Sequence, residues 1–131
     1  MLYVWVMMGS ALGGAARYWC AVFAARHFGE AFPWGTLIIN VIGSFVIGFF
    51  ATLTGPDGRV VASTEARLFV MVGLCGGYTT FSAFSLQTLD LIREGEVLRA
   101  SGNIVLSLLS CLLAVWLGHV AAASLNRFPA T

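Results

Sequence analysis

The sequence predicts an all-α membrane protein of four transmembrane helices, the third broken in its middle. Three observations carry this prediction. Of 131 residues, 59% are hydrophobic and only 10% are charged, with lysine absent; a soluble domain carries roughly 25% charged residues. Apolar runs long enough to span a bilayer, which takes about 20 residues, fill most of the chain. The third of them is interrupted by glycines, threonines and serines.

The spans are expected at residues 2–28, 34–53, 68–92 and 102–123. No basic region precedes the first apolar run, which also continues past any cleavage point, so it reads as a retained helix. The connections are short: Pro33, Trp34 and Gly35 turn between the first two spans, Thr54 to Gly58 open the second loop, and Arg93 to Glu96 lie in the third. Such loops force neighbouring helices to run antiparallel and leave residues 1–131 as a single four-helix transmembrane domain. Tyr3, Trp5 and Trp34 fall near helix ends, where amphipathic rings favour the interface.

Composition excludes several functions. A net charge of +1 without basic clusters argues against a nucleic-acid partner. Cys20, Cys75 and Cys111 sit singly in apolar runs, with no CxxC or Cys/His grouping, and read as small apolar residues. The arginines are balanced: Arg59, Arg67 and Arg127 lie on the side of the N-terminus, Arg26, Arg93 and Arg99 on the other. Positive-inside bias therefore sets no orientation. Either an unseen factor orients the chain, or copies insert both ways and pair as an antiparallel dual-topology homodimer. Size also argues for pairing, since four short helices hide little polar surface from lipid. Gly9 with Gly13, Ser44 with Gly48, and Gly118 with Ala122 have the spacing of close helix contacts.

The candidate chemistry lies in the broken span. Gly73, Gly76 and Gly77 are followed by Thr79 and Thr80, then Phe81, Ser82, Ala83, Phe84 and Ser85. Glycines loosen a helix and hydroxyls compete for its backbone bonds. Irregular backbone at membrane depth is tolerated only inside protein or beside a water-filled cavity. Its freed carbonyls suit a cation, and the following helix start suits an anion; a ligand-free kink is the alternative. Thr79, Ser82 and Ser85 give one face a line of hydroxyls, and Phe81 and Phe84 give a neighbouring face two rings. Ring edges are electropositive, so the pair can border an anion, although phenylalanines at this spacing also simply pack.

Asn40 in the second span must face protein or a pore, as an anion donor or in an interhelical bond. Ser107 and Ser110 add hydroxyls in the fourth span, unless they bond back to their own helix, and Asn103 stands near its entrance. Arg17 is the charge set deep in a span, roughly 20 Å along the first helix. It either snorkels to the far interface or draws anions to a vestibule. His27 and His119 have no partners evident in sequence.

Together these residues resemble the Fluc/CrcB family of fluoride channels. The resemblance spans the chain: Gly13 to Tyr18 (GGAARY) in the first helix, GTLIINVIGSFVIG in the second and GLCGGYTTFSAFS in the third. It implies an antiparallel homodimer in a bacterial inner membrane, crossing it several times, with two fluoride pores lined by both subunits. Phe81 and Phe84 match the phenylalanines whose edges contact fluoride, and Asn40 matches the pore asparagine. Thr79, Thr80, Ser82, Ser85 and Ser107 match a polar track. Carbonyls at Gly76 and Thr79 match those that hold a structural sodium ion at the dimer centre. Two positions depart from the family: Gln87 stands where Glu is frequent, and Asn103 where Tyr is frequent.

The implied function is passive, selective fluoride export rather than catalysis. The competing reading is a small four-helix multidrug exporter. Such exporters need a buried carboxylate in the first span, yet every acidic residue here lies at or beyond Glu30. A structural subunit without transport would leave the asparagine, ring pair and hydroxyls unexplained.

Overall fold

A computed structural model describes residues 1–128, all helix and connecting turns without strands among them. Helix α1 spans Leu2–Phe28 and α2 spans Trp34–Leu53. The third hydrophobic stretch comprises α3 (Thr64–Arg67), a π-helical segment (Leu68–Cys75), α4 (Gly76–Tyr78) and α5 (Phe81–Arg93). Helix α6 spans Val97–Asn126.

Three stretches, Trp34–Leu53, Thr64–Arg93 and Val97–Asn126, are long and apolar enough to cross a membrane. The first helix is not among them. Its 27 residues reach roughly 40 Å, but Arg17 and several glycines and interfacial aromatics dilute its apolar character.

Helices begin and end where local chemistry dictates. The third stretch starts four residues earlier than hydropathy predicts because the Ser63 hydroxyl caps it, accepting from Ala66 N at 3.2 Å. Gly95, at φ 81°, reverses the chain after α5, with Glu96 N donating to Leu91 O at 2.8 Å. Helix α6 then starts at Val97 rather than residue 102, directly after the reversal at Gly95, and its first turns carry the exposed Arg99–Glu96 pair at 3.7 Å.

Helix α2 lies along α6, and α1 along the π segment and α4. Both contacts are glycine-mediated. A Cβ on Gly73 would lie 2.9 Å from the Gly9 Cα, and one on Gly77 would lie 2.6 Å from Ser10 O. At the other contact, Gly48 abuts Val115 O and Gly118 abuts Phe45 O. Gly76 itself is helical, at φ −64° and ψ −38°. Gly73 thus lies in the widened π-helical segment and Gly76 and Gly77 in α4; Gly73 and Gly77 also admit the backbone of α1, and the chain becomes extended only at the hydroxyl-bearing Thr79 and Thr80.

Few large side chains are fully buried; Ile39 and Asn103 are the largest. Leu109, Leu112 and Trp116 of α6 point outward, as suits lipid. The two histidines do have partners. His119 Nδ1 shares a hydrogen bond with Thr52 Oγ1 at 2.8 Å, tying α6 to α2, and His27 Nδ1 meets Phe23 O at 2.8 Å in its own helix.

Candidate ion-binding site

The break is a two-residue extended step, with Thr79 at φ −82°, ψ 158° and Thr80 at φ −152°, ψ 113°. Asn40 stabilises it. Thr80 N donates to Asn40 Oδ1 at 2.8 Å, and Asn40 Nδ2 donates to Thr80 O at 3.1 Å. The carboxamide thus gives the broken segment the reciprocal pairing that a neighbouring peptide would give. One of its two Nδ2 hydrogens remains for another acceptor.

Both threonine side chains serve the local backbone. Thr79 Oγ1 donates to Cys75 O at 2.9 Å. Thr80 caps α5, its Oγ1 accepting from Ala83 N at 3.1 Å and lying 3.2 Å from Ser82 Oγ. These diversions have a definite consequence. An unbroken α-helix would send the Thr80 amide to Gly76 O and the Ala83 amide to Thr79 O. With one turned to Asn40 and the other to Thr80 Oγ1, the Gly76 and Thr79 carbonyls lose those donors.

A cavity of about 300 Å³ opens beside the break. Asn40, Thr79, Thr80, Phe81, Phe84 and Ser107 line it together with Gly76. The two rings lie with centroids 5.4 Å apart and planes inclined at 49°. Phe81 is 76% exposed. No charged side chain among the described residues contributes to this lining.

Not every expected residue converges here. Ser82 and Ser85 are exposed and outside the cavity lining, and Ser85 Oγ bonds back to Phe81 O at 2.9 Å. Ser110 likewise bonds back to Leu106 O. Arg17 is half-buried on α1, lines neither this cavity nor the second one, and makes no hydrogen bond or ion pair among the described residues. Cys75 and Cys111 line the cavity as free thiols, and Cys20 accepts from the Tyr78 hydroxyl at 3.3 Å.

Sequence reasoning missed Thr88. Its buried hydroxyl accepts from Asn103 Nδ2 at 3.0 Å and donates to Phe84 O at 2.8 Å, linking α6 to the ring-bearing turn of α5. The signal was present, since Thr88 follows Phe84 and Asn103 precedes Ser107 by one helical turn each. A second cavity, of about 630 Å³, lies toward the α1–α2 connection. Gln87 lines it with Glu30, Asp90, Glu94, Glu96 and Arg99, and Gln87 Oε1 is buried without a hydrogen-bond partner among the described residues.

Fold and site together define a multi-pass helical membrane protein whose broken span borders a neutral, polar-lined cavity. The chain belongs to the CrcB-like family: the family model described as CrcB-like protein, Camphor Resistance (CrcB), matches residues 4–119. It is similar to the fluoride-specific ion channel FluC of Methylocella silvestris, 65% identical over 97% of both chains. The protein of that name from Opitutus terrae is 58% identical over 95% of both chains. That from Rhodospirillum rubrum is 59% identical over 97% of this chain and 98% of its own.

Proposed function

We propose that this protein is a fluoride-selective channel that passively releases cytoplasmic fluoride across a bacterial inner membrane. Relatives named for that activity support the reading, and one observation carries it in physical terms. A single cavity brings the Phe81 and Phe84 rings together with the Asn40 amide and hydroxyls of Thr80 and Ser107, and no charged side chain among the described residues lines it. Fluoride is small and strongly hydrated, so a pathway must replace its water with donors. Ring edges and neutral N–H and O–H groups supply positive potential without the trap of a fixed cation. Ser82 and Ser85 continue the hydroxyl line beyond the cavity, and Arg17 draws anions toward a vestibule. No bond is made or broken, so the protein is not an enzyme.

The working unit is an antiparallel dual-topology homodimer of four-span subunits with two pores. One chain leaves Gly76 and Phe81 exposed at the break, and irregular backbone at membrane depth needs protein around it. A second copy supplies that cover. The same pairing brings two sets of Gly76 and Thr79 carbonyls together. These oxygens, deprived of their helical donors, are neutral hard ligands suited to a structural sodium ion. Sodium supplies charge that holds the two breaks together.

The test is a planar-bilayer recording with fluoride on one side and chloride on the other. A reversal potential close to that for fluoride alone supports the reading. A reversal potential near zero, or one that follows a proton gradient as a coupled exporter's would, refutes it.

A further inference from the structure

The hydrogen bonds around Asn103 have only one consistent direction. A carbonyl cannot donate, so the Thr88 hydroxyl proton goes to Phe84 O, at 2.8 Å. Thr88 Oγ1 must then accept from Asn103, which sets the carboxamide with Nδ2 toward Thr88, at 3.0 Å. The Asn103 oxygen is left facing Ser107, whose hydroxyl must donate to it, at 3.3 Å. All three side chains are buried; Asn103 is 1% exposed and Thr88 and Ser107 8% each.

Ser107 lines the cavity, yet this arrangement turns its proton away from it and leaves its lone pairs facing inward. Lone pairs repel an anion. We infer that Thr88 and Asn103 are positioning residues that hold the Ser107 hydroxyl in its non-donating direction, setting how tightly the cavity binds an anion. Neither Thr88 nor Asn103 lines the cavity; they act through Ser107. The Ser107 bond, at 3.3 Å, is the longest of the three and exceeds the usual O–H···O range. It is therefore the link that opens when an anion arrives and Ser107 turns to donate. A weak link of this kind lets an ion be held and then released, as conduction requires.

This inference rests on the fluoride-channel reading, and its test separates the two. The readout is the fluoride concentration giving half-maximal flux in reconstituted vesicles, alongside a melting curve for each variant. Asn103→Leu removes the acceptor and frees the Ser107 proton for the ion. Thr88→Val removes the group that fixes the carboxamide, so Asn103 can turn its N–H₂ to Ser107 and displace the proton toward the cavity. Both changes lower the half-saturating concentration by about fivefold, the value of one neutral hydrogen bond. Thr88→Ser keeps the parental value. In a Ser107→Ala background the effect of Thr88→Val disappears.

Equal shifts with and without the Ser107 hydroxyl overturn the inference, as does an unchanged half-saturation in Thr88→Val. If Asn103→Leu fails to fold, the conservative threonine pair decides alone. A parent protein that passes no fluoride sinks the channel reading itself, a different result from any of these.

Discussion

Asn40 and Thr80 pair as two peptides would. Thr80 N–H donates to Asn40 Oδ1 at 2.8 Å and Thr80 O accepts from Asn40 Nδ2 at 3.1 Å. Without this side chain both backbone groups would lose their protein partner within the span, where unpaired backbone is costly. The asparagine is thus a condition of the break, and the break in turn frees the Gly76 and Thr79 carbonyls.

Replacing Asn40 should consequently cost stability as well as transport. Asn40→Leu strands one buried donor and one acceptor, each worth about 1–3 kcal/mol, so the detergent-solubilised protein should melt at markedly lower temperature. Asn40→Asp keeps the acceptor for the Thr80 amide but cannot donate when ionised, and it places a negative charge beside the proposed anion cavity. Fluoride flux should vanish in the aspartate variant. Parental melting in both variants would contradict the pairing.

The glycine contacts predict a contrast within α1 and its partner. Gly73→Ala forces a Cβ to 2.9 Å from the Gly9 Cα and Val6 O, an overpacking that costs about 1–3 kcal/mol. Gly14→Ala meets nothing within 4 Å and removes a helix-weakening glycine, a gain of about 0.5–1 kcal/mol. Melting curves should move in opposite directions; parallel shifts would contradict the assigned packing.

Phe81 should separate conduction from folding. It is 76% exposed in the single chain, so Phe81→Leu should leave helix content by circular dichroism unchanged. An aliphatic side chain lacks the electropositive edge, and fluoride flux should fall by about tenfold or more. Undiminished flux would remove the ring from the pathway.

Sodium replacement tests the proposed dimer centre. Exchanging sodium for a large organic cation should weaken dimerisation, read as a shift toward monomer mass in detergent, and readdition should restore it. A dimer unmoved by rigorous depletion would rule out a sodium role at Gly76 and Thr79.

Helices α2 and α6 and the third stretch were legible in the sequence because their apolar length specifies them; the ends were less so, since capping by Ser63 and reversal at Gly95 lie outside hydropathy. The interruption of the third span was legible, and the hydroxyls of Thr79 and Thr80 mark its position; a second role of the glycines was not. Gly73 and Gly77 looked like weak points, whereas they also admit the backbone of α1, a property of the neighbour that no local pattern states. Asn40 was recognised as a buried amide needing partners, while its pairing with a residue forty positions away needed coordinates. Thr88 was not singled out, and His119 showed no partner, for the same reason: each is completed by a side chain from another helix. Ser82 and Ser85 illustrate the converse, a clear helical period whose hydroxyls face away from the cavity that a single chain forms.

The most direct measurement is fluoride release from sealed vesicles containing the purified protein, with the membrane potential clamped by a potassium ionophore. The account predicts rapid fluoride efflux with chloride retained in matched vesicles. Efflux no faster than from protein-free vesicles, or equal loss of chloride, would contradict it.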